Sequence, residues 1–169
     1  MTQFYAQPYD ISATGFYFES MNDYDAKYAA CKNDFGDQVE EFEIQFIDGE
    51  MIDGQLFKTL SIGQHNIHHF IEHIDEWEEH EKQALIIAVG ECGYDFDLSD
   101  NDLSIIDNVD IYLMDTMREL AEQFVDEGLF GDIPKSLQFY IDYEAIARDL
   151  SFDYSETNIA GTNIIYRCS

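Results

Sequence analysis

Residues 116–150, TMRELAEQFVDEGLFGDIPKSLQFYIDYEAIARDL, decide the fold class. Thr116 with Glu119 three residues later has the spacing of a capping box, and Asp115 is a rival cap. Met117, Leu120, Ala121, Phe124 and Val125 follow at intervals of three and four, one apolar face of a helix. Gly128 is a natural stop for it, because glycine enters the left-handed conformation that ends many helices. Pro134 suits a first helical turn and predicts a second helix through Leu137 and Tyr140. Asp142 is placed to cap a third, through Ile146 and Leu150. Beyond it, Ile164, Ile165 and Tyr166 read as a closing strand.

Upstream, the middle of the chain is also helical. Ile67, Phe70, Ile71, Ile74 and Trp77 form one apolar stripe, with Ser61 or Asn66 as its cap. Lys82–Val89 supplies a further helical or buried segment, ended by Gly90, and 95–102 reads as an acidic loop. The first third mixes both patterns. Phe16, Tyr17 and Phe18 follow Gly15 as a strand, and Asp23 or Asp25 caps a short helix through Tyr28 to Cys31. Phe42, Ile44 and Phe46 alternate with Glu41, Glu43 and Gln45, a half-buried strand, and Asp48-Gly49 and Asp53-Gly54 signal turns. Sheet segments and four or five helices in a short chain make the class α+β.

The charge is extreme. There are 36 Asp and Glu against 8 Lys and Arg, a formal net charge of −28. It is spread evenly: −9 over residues 1–60, −11 over 61–107 and −8 over 108–169. Aromatic residues at 15% distinguish the chain from disordered acidic segments, so it buries a core despite self-repulsion. A net charge of about 2 to 8 already keeps a small domain soluble, so this excess asks for a use. A salt-adapted protein or an unusually acidic housekeeping domain are the plain alternatives. A polyanion is repelled by nucleic acid and by anionic lipid, so its natural partners carry basic surfaces. The longest apolar run, Ala84 to Gly90, is far short of a membrane span, and no secretory leader is expected. Cys31, Cys92 and Cys168 are odd in number and far apart, which fits a reducing compartment.

No constellation reads as catalytic. His65, His69 and His73 have the spacing of a three-histidine stack that zinc would accept, but Phe70, Ile71 and Ile74 define the buried face and no Cys or HExxH pattern accompanies them. Solvated histidines and no metal are therefore expected. Asp95, Asp97 and Ser99 begin like a calcium loop, which fails because Asp100 stands in the glycine position and Ile106 in that of the bidentate glutamate. No phosphate loop or nucleophile elbow is present. The chain is expected to be no enzyme and to need no cofactor.

An alternative use of the charge is mimicry of nucleic acid. The net charge equals the phosphates of about 14 base pairs of duplex. Carboxylates on helices and strands can stand where phosphates stand, and the Arg and Lys of a DNA-binding protein pair with either. The candidates are Glu40, Glu41, Glu43, Glu72, Asp75, Glu76, Glu78, Glu79, Asp115, Glu119, Glu122, Asp126 and Glu127.

The run GDIPKSLQFYIDYEAIARDL at 131–150 closely resembles the C-terminal signature of the ArdA family of antirestriction proteins. LAEQFVDEGLF at 120–130, SIGQHNI at 61–67 and the FYF strand after Gly15 are similar to other parts of that family. Gly131, Pro134, Ser136, Leu137, Tyr140, Ile141, Asp142, Tyr143, Arg148, Asp149 and Leu150 match the signature. Ile146 and Ala147 stand where the family more often has Tyr and Gly, and the histidine-rich segment is not a family feature. The resemblance implies an elongated curved rod of three small domains, dimerising through the C-terminal one. Here these would be an N-terminal α+β domain (1–60), a mainly helical middle (61–107) and a C-terminal α+β domain (108–169). It also implies a cytoplasmic protein of conjugative plasmids or transposons. Such a protein occupies the DNA-binding groove of type I restriction–modification enzymes, at the methyltransferase core, and blocks restriction and often modification. Within the signature, Pro134 and Leu137 are expected to be architectural and Arg148 an internal ion-pair partner or dimer contact. Competing readings are an acidic chaperone for other basic proteins and a metal-dependent hydrolase.

Overall fold

Phe4 is the centre around which the first half of the chain packs. The computed structural model describes residues 1–169, which divide into two units, Met1–Ile106 and Asp107–Ser169. In the first unit, β1 (Gln3–Pro8) runs between β2 (Phe16–Phe18) and β3 (Phe42–Asp48), antiparallel to both. Phe4 is in register with Phe18 on one side and Phe46 on the other. Its ring lies 5.4 Å from that of Phe18, 5.8 Å from Phe46, 6.0 Å from Phe57 and 6.3 Å from Phe70. Aromatic pairs of this kind contribute about 0.5–1.5 kcal/mol each beyond area burial. Phe42 and Ile44 are buried and Glu41 and Glu43 exposed, the alternation expected of a half-buried strand.

Four helices complete this unit. Helix α1 (Met21–Ala30) is capped by Ser20, whose hydroxyl accepts from the Asp23 amide at 3.3 Å. Neither Asp23 nor Asp25 is the cap; Asp23 lies in the first turn and pairs with Lys27 at 2.8 Å. Helix α2 (Met51–Thr59) runs through Asp53-Gly54, which the sequence marks as a turn. Packing overrides the local signal here: a Cβ on Gly54 would stand 3.2 Å from the Phe46 ring, so its absence lets helix and sheet meet closely.

The apolar stripe from Ile67 to Trp77 is broken into two pieces. Helix α3 (Ile67–His73) has Asn66 at its cap position, but that side chain accepts from the Gly63 amide at 2.8 Å, and no cap bond to the helix forms. A turn over 74–76 then brings Trp77 into the core, its indole N–H donating to Asn101 Oδ1 at 2.9 Å. Helix α4 (Glu79–Ile86) continues as one π-helical stretch, Ile87–Glu91, so Gly90 does not end it. Residues 95–102 lack helix and strand, as the acidic loop reading requires.

In the second unit β6 (Thr162–Cys168) is central, antiparallel to both β4 (Val109–Tyr112) and β5 (Ser155–Ile159). Strands β5 and β6 join through Ala160 and Gly161, both at positive φ (49° and 89°), as a two-residue hairpin of this twist requires. Helix α5 (Met117–Asp126) has Thr116 as its cap, bonded to the Glu119 amide at 3.3 Å; Glu119 reaches back to the Asp115 amide at 3.0 Å. It ends at Gly128 (φ 78°), where Leu129 N–H donates to Phe124 O and Gly128 N–H to Val125 O, the paired bonds of a Schellman motif. Helix α6 (Tyr143–Leu150) is capped by Asp142, which accepts from the Ala145 amide at 3.0 Å. Met117, Leu120, Ala121 and Phe124 of α5 join Ala147 of α6, Tyr154 and Ile165 in one core.

The helix expected through Leu137 and Tyr140 is not formed. A turn closes from Leu137 N–H to Pro134 O at 2.8 Å, and one 3-10 turn, Gln138–Tyr140, follows. Leu137, Phe139 and Tyr140 are 54%, 94% and 83% exposed, so no buried face stabilises a short helix there. The fold is mixed α+β, and no helix is long and apolar enough to cross a membrane.

A candidate protein-binding surface of carboxylates

Of the 36 acids, Asp53 alone is buried. Its carboxylate takes a hydrogen bond from Lys82 Nζ at 2.7 Å, which ties α2 to α4. Burial pushes the Asp53 carboxyl above the ordinary aspartate range, and the Lys82 hydrogen bond and charge pull it back only in part. Sequence reading missed this pair. Its only signal is a lysine at the head of the apolar run from Ala84. The pair sits on the wall of a groove of about 870 Å³, with Phe4, Ile74 and Trp77 among its apolar lining and Glu19, Asp75 and Glu79 among its acids.

The expected phosphate-mimicking acids take different local roles. Glu40, Glu41 and Glu43 line the approach to β3 and its outer face, and all are exposed. Gln64 fixes that edge: its side chain accepts from the Phe42 amide at 2.9 Å and donates to the Glu40 carbonyl at 2.8 Å. Glu72, Asp75, Glu76, Glu78 and Glu79, all exposed, follow one another through α3, the turn and the start of α4. Three of them face histidines: Glu72 with His69 at 3.9 Å, Glu76 with His73 at 3.3 Å and Glu78 with His80 at 3.3 Å.

In the second unit, Asp115 accepts from Asn163 at 3.0 Å and Glu127 from Gln123 at 2.7 Å. Glu122 is engaged by Arg118 at 2.9 Å, and the same guanidinium reaches Glu144 at 2.7 Å. Arg118 therefore bridges two carboxylates of neighbouring helices and offsets part of their charge, a contact sequence reading did not anticipate. Glu40, Glu41, Asp75 and Asp126 are exposed and carry no such bond.

Other acids are committed to turns. Asn33 and Ser12 hold the Asp10 carboxyl below its ordinary range, Ser99 does so for Asp97, and the Ser104 amide for Asp102. The Ser99 amide and hydroxyl both donate to Asp97 Oδ1, at 2.9 and 2.6 Å, an oxygen that a calcium loop would have offered to the ion.

The signature residues separate by role. Asp142 is a cap, and Tyr143 and Leu150 pack against the core of their unit. Gly131 adopts a positive φ of 86°. Leu137, expected to be architectural, is more than half exposed, as is Tyr140. Arg148 is exposed and has no ion-pair partner within the chain.

A surface so built presents many exposed carboxylates, groups that pair with cations such as Arg and Lys side chains. A search of curated proteins found no match. The family model described as antirestriction protein (ArdA) matches residues 12–162, and the chain belongs to that family.

Proposed function

We propose that the chain is a DNA mimic that occupies the DNA-binding groove of type I restriction–modification enzymes, blocking restriction and also modification. The chain is not an enzyme, since its family acts without catalysis. The observation that carries the proposal is the family match over residues 12–162. The burial pattern supports it: Asp53 alone is buried, and most of the other acids reach the surface, where a basic groove could meet them.

Each acid contributes modestly, because exposed charge pairs are worth about 0.2–1 kcal/mol and are screened by salt. Affinity then comes from number and placement. The acids named above on β3, on α3–α4 and on α5 are the proposed contacts. We also propose that the chain acts in the cytoplasm of a bacterial host. Dimerisation through the second unit is part of the same proposal. Its support is the exposure of Leu129, Phe130, Leu137, Phe139, Tyr140 and Phe152, large apolar side chains of the second unit that the chain itself leaves uncovered.

Cleavage and methylation of unmodified plasmid by a purified type I enzyme test the function. Stoichiometric loss of both activities is expected, with a type II endonuclease on the same plasmid unaffected. Binding to histones without any effect on the type I enzyme would replace the proposal with a general chaperone for basic proteins.

A further inference from the structure

We infer that His69, Glu72 and His73 form a binding site for a divalent transition metal ion, zinc foremost. The three lie on α3 at positions i, i+3 and i+4, which share one helix face. One ligand atom from each lies within 4.8 Å of the others. His65, which the sequence spacing added to the stack, is not in this group; Glu72 takes its place.

The donor set selects the ion. Two imidazoles and one carboxylate suit zinc and its borderline neighbours, whereas magnesium and calcium take all-oxygen shells. Three protein ligands leave a fourth position for water, as in open zinc sites. Bonds of about 2.0–2.1 Å place tetrahedral ligand atoms about 3.4 Å apart, so the three side chains must close in by rotation. Glu72, 65% accessible, has the most room to move, toward His69 at 26% and His73 at 13%, the latter held by its stacking on Trp77 at 5.9 Å.

The surroundings support the site. His73 Nδ1 lies 3.3 Å from Glu76 Oε2, and a proton donated there leaves Nε2 its lone pair for a metal. Exposed Glu76, beside His73, lowers the cost of bringing a doubly charged cation to this face. The histidine-rich segment thereby acquires a use.

The test is calorimetric titration of the untagged full chain with zinc chloride in a large excess of magnesium, which saturates unselective carboxylate binding. One equivalent per chain is expected. His69→Ala and His73→Ala should each weaken binding at least tenfold, while His65→Ala leaves it unchanged. Cobalt(II) in the same site should give visible absorption bands that zinc abolishes. Circular dichroism of each variant checks that it is folded. Absence of saturable binding in magnesium, equal binding by the His69→Ala/His73→Ala double variant, or equal loss in His65→Ala would each overturn the assignment.

Discussion

Lys82→Met tests the packing of the first unit at its one buried ion pair. Methionine keeps the unbranched stem as far as the ε position and removes the cation, leaving Asp53, 4% exposed in the parent, without its charge partner. Breaking a buried pair from one side costs about 3–5 kcal/mol. Asp53 can limit that loss by taking up a proton. From an ordinary value of 3.8, protonation costs about 4 kcal/mol at pH 7 and about 1.6 kcal/mol at pH 5, at 1.36 kcal/mol per pH unit. The sign follows from linkage. A carboxyl raised in the folded state contributes stability that is fully present below its unfolded value and is lost as pH rises through the folded one. Burial already raises Asp53, and removing Lys82 raises it further. The destabilisation relative to the parent should therefore be about 3–4 kcal/mol at pH 7 and no more than about 2 kcal/mol at pH 5. Trp77 is the only tryptophan and is buried in this unit, so urea unfolding followed by its fluorescence reads the right transition. Subtracting the parent at each pH removes the general relief of charge repulsion on acidification. A loss below about 1 kcal/mol at pH 7, or the same loss at both pH values, would refute the reasoning. Asp53→Leu with Lys82→Met should recover most of the stability, because an apolar pair replaces a buried ionic one at little cost.

Ala160→Gly should stabilise the second unit by about 1 kcal/mol, because an alanine at φ 49° carries a left-handed penalty that glycine lacks. Amide exchange of the β5–β6 hairpin measures it. Phe139→Ser with Tyr140→Ser should shift the chain from dimer to monomer in sedimentation without lowering its thermal midpoint, since both side chains are already more than four-fifths exposed. A dimer of undiminished strength would place the interface elsewhere.

The parts of the fold legible in the sequence are those where local chemistry and packing agree. Thr116, Gly128 and Asp142 act where spacing places them, because a cap is satisfied within a few residues. The alternation at Phe42, Ile44 and Phe46 marks a strand for the same reason. Long-range packing defeats the local signal elsewhere. Asp53-Gly54 reads as a turn but lies in a helix, because Lys82, 29 residues away, and the Phe46 ring hold it there. Pro134 to Tyr140 reads as a helix but finds no core to rest on. Strand β1, with its short FYAQP core, becomes a strand only through its two partners. The site follows the same division. That the acids are exposed was legible from their number, whereas Arg118 bridging Glu122 and Glu144 depends on how two helices meet.

The central claim is that the carboxylates stand in for phosphates in another protein's groove. Competition between this chain and specific duplex DNA for a purified type I methyltransferase, across a salt series, tests it most directly. Mutually exclusive binding is predicted, with affinity for the chain falling steeply as salt rises, as it does for DNA. Simultaneous binding of chain and saturating DNA to the enzyme would contradict it.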